Sequence, residues 1–100
     1  MEQQWANLTD HIGPEKIIFI RDARAGLEAI LVVDNTAAGP AIGGIRMATD
    51  ISLGEVFRLA RAMTFKNAAA GLRHGGAKSG IIADPDMEDG AKERLVRAFA

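Results

Sequence analysis

Two runs of β-branched and aromatic residues, Lys16 to Asp22 (Lys-Ile-Ile-Phe-Ile-Arg-Asp) and Leu27 to Val33, are separated only by Ala23-Arg24-Ala25-Gly26. A short, glycine-bearing connection between two such runs predicts an antiparallel hairpin. Gly39-Pro40 then breaks the chain, and Ile42 to Met47 is expected as a third strand, opened by Gly43-Gly44. From about residue 53 to 70 the period changes to 3.6, with Val56, Leu59, Ala60, Met63 and Asn67 on one stripe of a helix. Asp50 or Ser52 is the expected N-cap, Glu55 stands where it completes a capping box from Ser52, and Gly71 falls just past the C-terminal end. A strand over about 77–83, a turn at Asp84-Pro85-Asp86 and an amphipathic helix from Glu88 to Ala100 through Leu95, Val96 and Phe99 follow. A short helix over 2–11, with Trp5 and Leu8 on one side, precedes the hairpin and stops at Gly13-Pro14. Trp5 reads as a core or interface anchor for that helix. The order α-β-β-β-α-β-α predicts the α/β class, a single mixed β-sheet packed with helices. A chain of 100 residues suits one domain, 1–100, and not two. Its last helix runs into the C-terminus without a cap or polar tail, so the domain is expected to continue beyond Ala100.

Charge excludes some partners. With 12 basic and 13 acidic side chains the net charge is −1, which argues against nucleic acid or an anionic membrane as the main partner. The absence of cysteine removes disulfides, thiolate metal sites and thiol nucleophiles. No apolar run approaches the length of a membrane span. Met1-Glu2-Gln3-Gln4-Trp5 lacks the basic and apolar regions of a secretory signal, so a soluble, cytoplasmic domain is expected.

The near-neutral total conceals a cationic centre. Residues 36–83 carry Arg46, Arg58, Arg61, Lys66, Arg73 and Lys78 against only Asp50 and Glu55, and eight of the eleven glycines lie between Gly39 and Gly80. Such a segment suits backbone shaped around a small anion. Turn glycines beside a solvated basic face would have the same composition.

Two of the four lysines stand in apolar or glycine-rich surroundings. Lys66 lies three residues after Met63, so it is expected on the inner part of the helix rather than on its charged face. An ammonium there must reach solvent or meet an anion. Lys78 lies between Gly75-Gly76 and Gly80, where a ligand can approach the backbone. Two converging lysines suggest two jobs: one grips a carboxylate, and the other, its proton affinity lowered by desolvation and a cationic neighbour, serves as general base. Surface lysines at a helix end and a strand start remain the plain alternative.

Gly71, Gly76, Lys78 and Ser79 approach a phosphate-binding P-loop, but Ala77 adds a residue before the lysine, and the loop follows a helix and enters a strand, the reverse of the required order. No Gly-x-Gly-x-x-Gly is present, so a nicotinamide site is not expected in this chain. His11 and His74 are the only histidines; His74 reads as a solvated loop residue, and no spacing suggests a metal site.

Three segments in order, Gly39-Pro40-Ala41-Ile42-Gly43-Gly44-Ile45-Arg46-Met47, Met63-Thr64-Phe65-Lys66-Asn67-Ala68-Ala69-Ala70-Gly71-Leu72 and Gly75-Gly76-Ala77-Lys78, resemble the amino-terminal, substrate-binding and oligomerisation domain of the glutamate/leucine/phenylalanine/valine dehydrogenases. The resemblance runs clearly from about residue 17 to 100 and weakly before that. It implies reversible oxidative deamination: hydride passes from Cα to the nicotinamide of NAD or NADP, and the imine is hydrolysed to a 2-oxo acid and ammonia. By the same resemblance Lys66 binds the α-carboxylate, and Lys78 is catalytic, activating the water that attacks the iminium. Gly43 and Gly44 line the substrate pocket, and Met63 contacts the substrate or nicotinamide side. Glutamate-specific members usually carry a lysine immediately before the Gly-Gly-x-Arg; Ile42 stands there, which implies an apolar amino acid such as leucine, valine or phenylalanine.

The family's catalytic aspartate lies beyond the helix that starts near Glu88, and its nucleotide-binding domain is absent from these residues. The 100 residues alone are therefore expected to be inactive. The resemblance also implies a homo-oligomer, with the N-terminal helix and edge strands as candidate contacts. A stand-alone, non-catalytic module binding an amino acid or 2-oxo acid, or serving oligomerisation, is the alternative.

Overall fold

The computed structural model describes residues 7–100. Most of the expected 2–11 helix, and Trp5 with it, lies outside them; residues 7 and 8 are helical, and Leu8 packs against the core. The chain then forms β1 (Lys16–Asp22), β2 (Leu27–Asn35), β3 (Ala41–Ile42), β4 (Ile45–Ala48), α1 (Leu53–Ala69), β5 (Gly75–Ile82) and α2 (Asp89–Phe99).

The hairpin forms as expected, with Asp22 opposite Leu27 and Lys16 opposite Val33. Asp22 Oδ1 accepts from Arg24 N at 3.0 Å and so shapes the connection. β5 lies antiparallel to β2, and β3 and β4 run parallel to β5 along its other edge, giving one mixed five-stranded sheet. β4, α1 and β5 thus form a parallel crossover unit.

Three expectations need correction. The single strand over Ile42 to Met47 is two short ones, parted at Gly43-Gly44, where the backbone passes close against β5. β5 starts at Gly75, two residues earlier than expected, because Gly75 and Gly76 pair with Ala41 and Ile42. β2 runs on to Asn35, past a register shift between Val33 and Asn35.

Helix α1 starts where Ser52 Oγ accepts from Glu55 N at 3.2 Å. The reciprocal half of the capping box does not form, because the Glu55 carboxylate pairs with Arg46 instead. At the other end Gly71 (φ 70°) follows the cap, its N–H donating to Ala68 O at 3.0 Å, while Leu72 N donates to Asn67 O at 3.0 Å. That is the paired closure typical of a glycine-terminated helix. On the expected stripe Val56, Ala60 and Asn67 are buried; Leu59 and Met63 are half-buried, and Leu53 is buried with them.

The sheet separates two small cores. Ile30 and Val32 meet Ile51, Leu53, Val56 and Ala60 of the α1 side, and Leu27, Ala29 and Ile81 meet Leu95 of α2. Each fully covered aliphatic side chain contributes about 1.5–3 kcal/mol. Alternation along β2 aims Ile30, Val32 and Asp34 at α1, and Asp34 is completely buried there.

Candidate functional site

The position of Lys78 follows from its neighbours on β5. Alternation turns Gly76, Lys78, Gly80 and Ile82 toward α1. A Cβ on Gly76 would strike Thr64 N and Oγ1, and one on Gly80 would lie 2.7 Å from Ile51 Cγ2. The helix side therefore rests on bare strand backbone on both sides of Lys78, and the lysine cannot lie flat beneath it. Its chain is directed along the flank of α1, where a Cβ on Gly44 would lie 3.2 Å from Lys78 Nζ. Gly43 is held as tightly, since a Cβ there would collide with Ala77 O.

Lys78 opens into a cavity of about 440 Å³ lined by Ile45, Arg46, Glu55, Arg58, Leu59 and Lys78. Glu55 is the only acid in this lining and is paired with Arg46, so Arg58 and Lys78 leave the cavity positive. Ile45 and Leu59 supply apolar wall. A positive, partly apolar cleft with one lysine at the backbone suits a small carboxylate that also carries an apolar side chain.

The structure brings Lys78 and Gly44 together but spreads the other expected residues along the adjoining elements. Met63 is half-buried about one turn beyond Leu59 on α1, and Lys66 about two turns beyond it. Ile42 is 41% exposed on β3, opposite Gly76. Lys66 requires a correction, because it is exposed in the last turn of α1 rather than turned into the apolar interior. The apolar stripe passes through Ala60 and Asn67 and leaves Lys66 on its rim. A cation there also complements the negative end of the helix dipole. His74 is half-buried, its Nδ1 3.0 Å from the Pro40 carbonyl, so it braces the loop before β5 rather than standing free in solvent.

Sequence reasoning missed an ionic network that runs from buried Asp34 through half-buried Arg61 to exposed Asp10. Asp34 accepts from Arg61 Nε at 2.7 Å, from an Arg61 terminal nitrogen at 3.1 Å and from Thr64 Oγ1 at 2.7 Å. The outer nitrogens of Arg61 reach Asp10 at 2.8 and 2.9 Å, while Phe57 and Phe65 lie 5.0 and 6.0 Å from its guanidinium carbon. Those bonds from Arg61, joined by N–H bonds from Gly13 and Ile12, hold the Asp10 carboxyl far below its usual range. Arg61 is pushed up by Asp10 and Asp34, so it stays charged. The signal was present in the sequence: an aspartate occupies the inward phase of the Ile30, Val32, Asp34 alternation. Arg46, Arg58 and Glu55 around Lys78 carried no such signal, because their meeting depends on how α1 crosses the sheet.

The profile described as Glu/Leu/Phe/Val dehydrogenase, dimerisation domain, matches residues 6–100. Leucine dehydrogenase of Bacillus subtilis (strain 168) is 45% identical over 89 residues, covering 85% of this chain and 24% of that protein. Phenylalanine dehydrogenase of Thermoactinomyces intermedius is 45% identical over 85 residues, covering 81% and 23%. The crystal structure of L-tryptophan dehydrogenase from Nostoc punctiforme superposes with a TM-score of 0.82 at 30% identity, covering 99% of this chain and 29% of that one. The chain thus spans about a quarter of the length of the curated relatives it matches.

Proposed function

Because the chain belongs to the Glu/Leu/Phe/Val dehydrogenase family, through its dimerisation domain, we propose that it is the substrate-binding part of an NAD(P)-dependent dehydrogenase. The reaction interconverts an apolar amino acid with its 2-oxo acid and ammonia. The observation that carries this reading is Lys78 itself, its ammonium over the bare backbone of Gly44 at the edge of a positive, partly apolar cavity.

In this reading Lys66 pairs with the α-carboxylate, and Gly43 and Gly44 let the substrate approach the β3–β4 backbone. Met63 borders the substrate. Lys78 accepts a proton from the water whose oxygen bonds to the imine carbon; the resulting carbinolamine expels ammonia and leaves the 2-oxo acid. The described residues do not fit a dinucleotide. The glycine pairs Gly43-Gly44 and Gly75-Gly76 each open a strand, and the two strand–loop–helix turns, β4 to α1 and β5 to α2, have no glycine in their loops, whereas a pyrophosphate cradle needs glycines in such a turn. Cofactor binding therefore falls to another part of the protein, and so does the choice between NAD and NADP. The direct test follows reduced nicotinamide formed by the full-length protein on leucine, valine, phenylalanine and glutamate; no turnover on any amino acid overturns the proposal.

Ile42 supports the apolar preference, since a branched alkyl group next to Gly43 cannot neutralise a second carboxylate. In the full-length enzyme Ile42→Lys is expected to raise kcat/KM on glutamate relative to leucine by about tenfold or more, the value of one well-placed charge pair. An unchanged ratio counts against Ile42 as a specificity residue.

A homo-oligomer and a cytoplasmic location go with this reading; no helix of the described residues is long and apolar enough to cross a membrane. β1 is an edge strand and exposes Ile18 and Phe19, at 40% and 46%. An exposed apolar edge invites pairing with another copy. Sedimentation of the full-length protein is expected to show at least a dimer, and a monomer at micromolar concentration rejects this part of the proposal.

A further inference from the structure

Asn67 is one of few polar side chains buried among the described residues, at 4% exposure, and it sits on the inner stripe of α1 with Val56 and Ala60. A buried amide is costly unless bonded. Here its Nδ2 donates to Gly75 O at 2.8 Å, tying the last turn of α1 to the first residue of β5. Three residues earlier, Thr64 lies directly against the backbone of Gly76 with no room for a Cβ. Gly75 is held from its other side as well, its N–H donating to Gly39 O and Pro40 O at 3.3 and 3.2 Å. The helix and the strand are thus locked at two successive points, Thr64 on Gly76 and Asn67 on Gly75. Lys66 lies between the two helix anchors, and Lys78 lies two residues past the second strand anchor.

We propose that Asn67 is a positioning residue for substrate binding: its bond to Gly75 holds the Lys66 turn of α1 at a set distance from β5, so that the carboxylate clamp and the catalytic lysine address one small molecule. The inference rests on the reading of Lys66 as that clamp. Lys66 is exposed, so the tie that the buried residue beside it makes to β5 fixes where its turn of the helix stands. An interaction equal in ground and transition states raises KM when lost and leaves kcat in place.

The test is steady-state kinetics of the full-length enzyme with leucine as substrate. Asn67→Ala is expected to raise KM for leucine about ten- to hundredfold, with kcat within about threefold of the parent. In a Lys66→Ala background the same change is expected to add nothing further, because Asn67 acts through Lys66. A purely structural role would lower the active fraction, and so kcat, at unchanged KM; that result overturns the proposal. So does an Asn67→Ala effect that multiplies undiminished onto that of Lys66→Ala. If Lys66→Ala itself leaves KM unaltered, the clamp reading fails and this inference falls with it, whereas a raised KM in Lys66→Ala beside a normal one in Asn67→Ala rejects the positioning role alone. If Asn67→Ala yields no soluble enzyme, Asn67→Ser, a smaller polar residue whose hydroxyl stops short of Gly75 O, decides the matter: KM must rise, and a parental KM overturns the proposal.

Discussion

Lys78→Ala in the full-length enzyme is expected to lower kcat on leucine about 10²- to 10⁴-fold, the usual contribution of a positioned general acid or base, while KM changes little. The split follows from the geometry. Lys78 is anchored on β5 between two glycines, whereas the proposed carboxylate partner, Lys66, sits on a different element. Truncating Lys78 therefore removes the proposed proton acceptor and leaves the proposed carboxylate clamp in place. The backbone there is set by contacts of Gly76 and Gly80 with the α1 side, so the strand holds its place in the variant. Turnover at the parental rate would remove Lys78 from the chemistry and with it the observation on which the proposed function rests. A rise in KM alone would make Lys78 a second binding lysine.

The other large effect concerns folding rather than turnover. Asp34 is completely buried, and Arg61 is its charged partner. Arg61→Ala would leave that carboxylate without a counter-charge in an apolar layer, where breaking a buried pair costs about 3–5 kcal/mol. Denaturant unfolding of the full-length protein is expected to register a loss of that order for the transition of this domain, and a loss below about 1 kcal/mol would show that Thr64 alone satisfies Asp34. The same network gives a pH dependence of defined sign. Arg61 depresses the Asp10 carboxyl in the folded state, so this contribution is complete above the ordinary carboxylate value of 3.8 and is lost as pH falls below it. Accordingly, the stability difference between the parent and Asp10→Asn is expected to be constant near neutrality and to shrink in acid.

Part of the site was legible in the sequence, for reasons particular residues make plain. Gly75-Gly76 and Gly80 around Lys78 were expected to let a ligand reach the backbone; instead Asn35, Thr64, Ile51 and Val56 fill that space, and the close approach at Lys78 is that of its Nζ to Gly44. The Gly71 helix end and the Ser52 cap were legible because each depends on bonds within a few residues. Glu55 was misread because a local partner, the Ser52 N–H, competes with a distant one; Arg46 on β4 wins as a full charge rather than a backbone dipole. Lys66 was expected inward from its spacing to Met63, but the width of the buried stripe depends on what α1 lies against. Flat strand backbone at Gly76 and Gly80 covers only a narrow face of the helix, and Lys66 falls outside it.

The sequence by itself determined most of the elements and their order and nominated the candidate residues, because periodicity, capping and glycine placement act over a few neighbours. It also determined that β5 would have to lie close to whatever faced it, since no side chain stands at Gly75, Gly76 or Gly80 to hold a neighbour away. Only the tertiary structure decided that β5 takes the centre of the sheet, with an antiparallel neighbour on one side and two parallel ones on the other. It alone brought Arg46, Glu55 and Arg58 around Lys78, and joined Asp10, Asp34 and Arg61 across 51 residues of chain. Those meetings depend on the crossing of helix over sheet, a balance of many weak contacts among residues far apart in the chain, which no local pattern encodes.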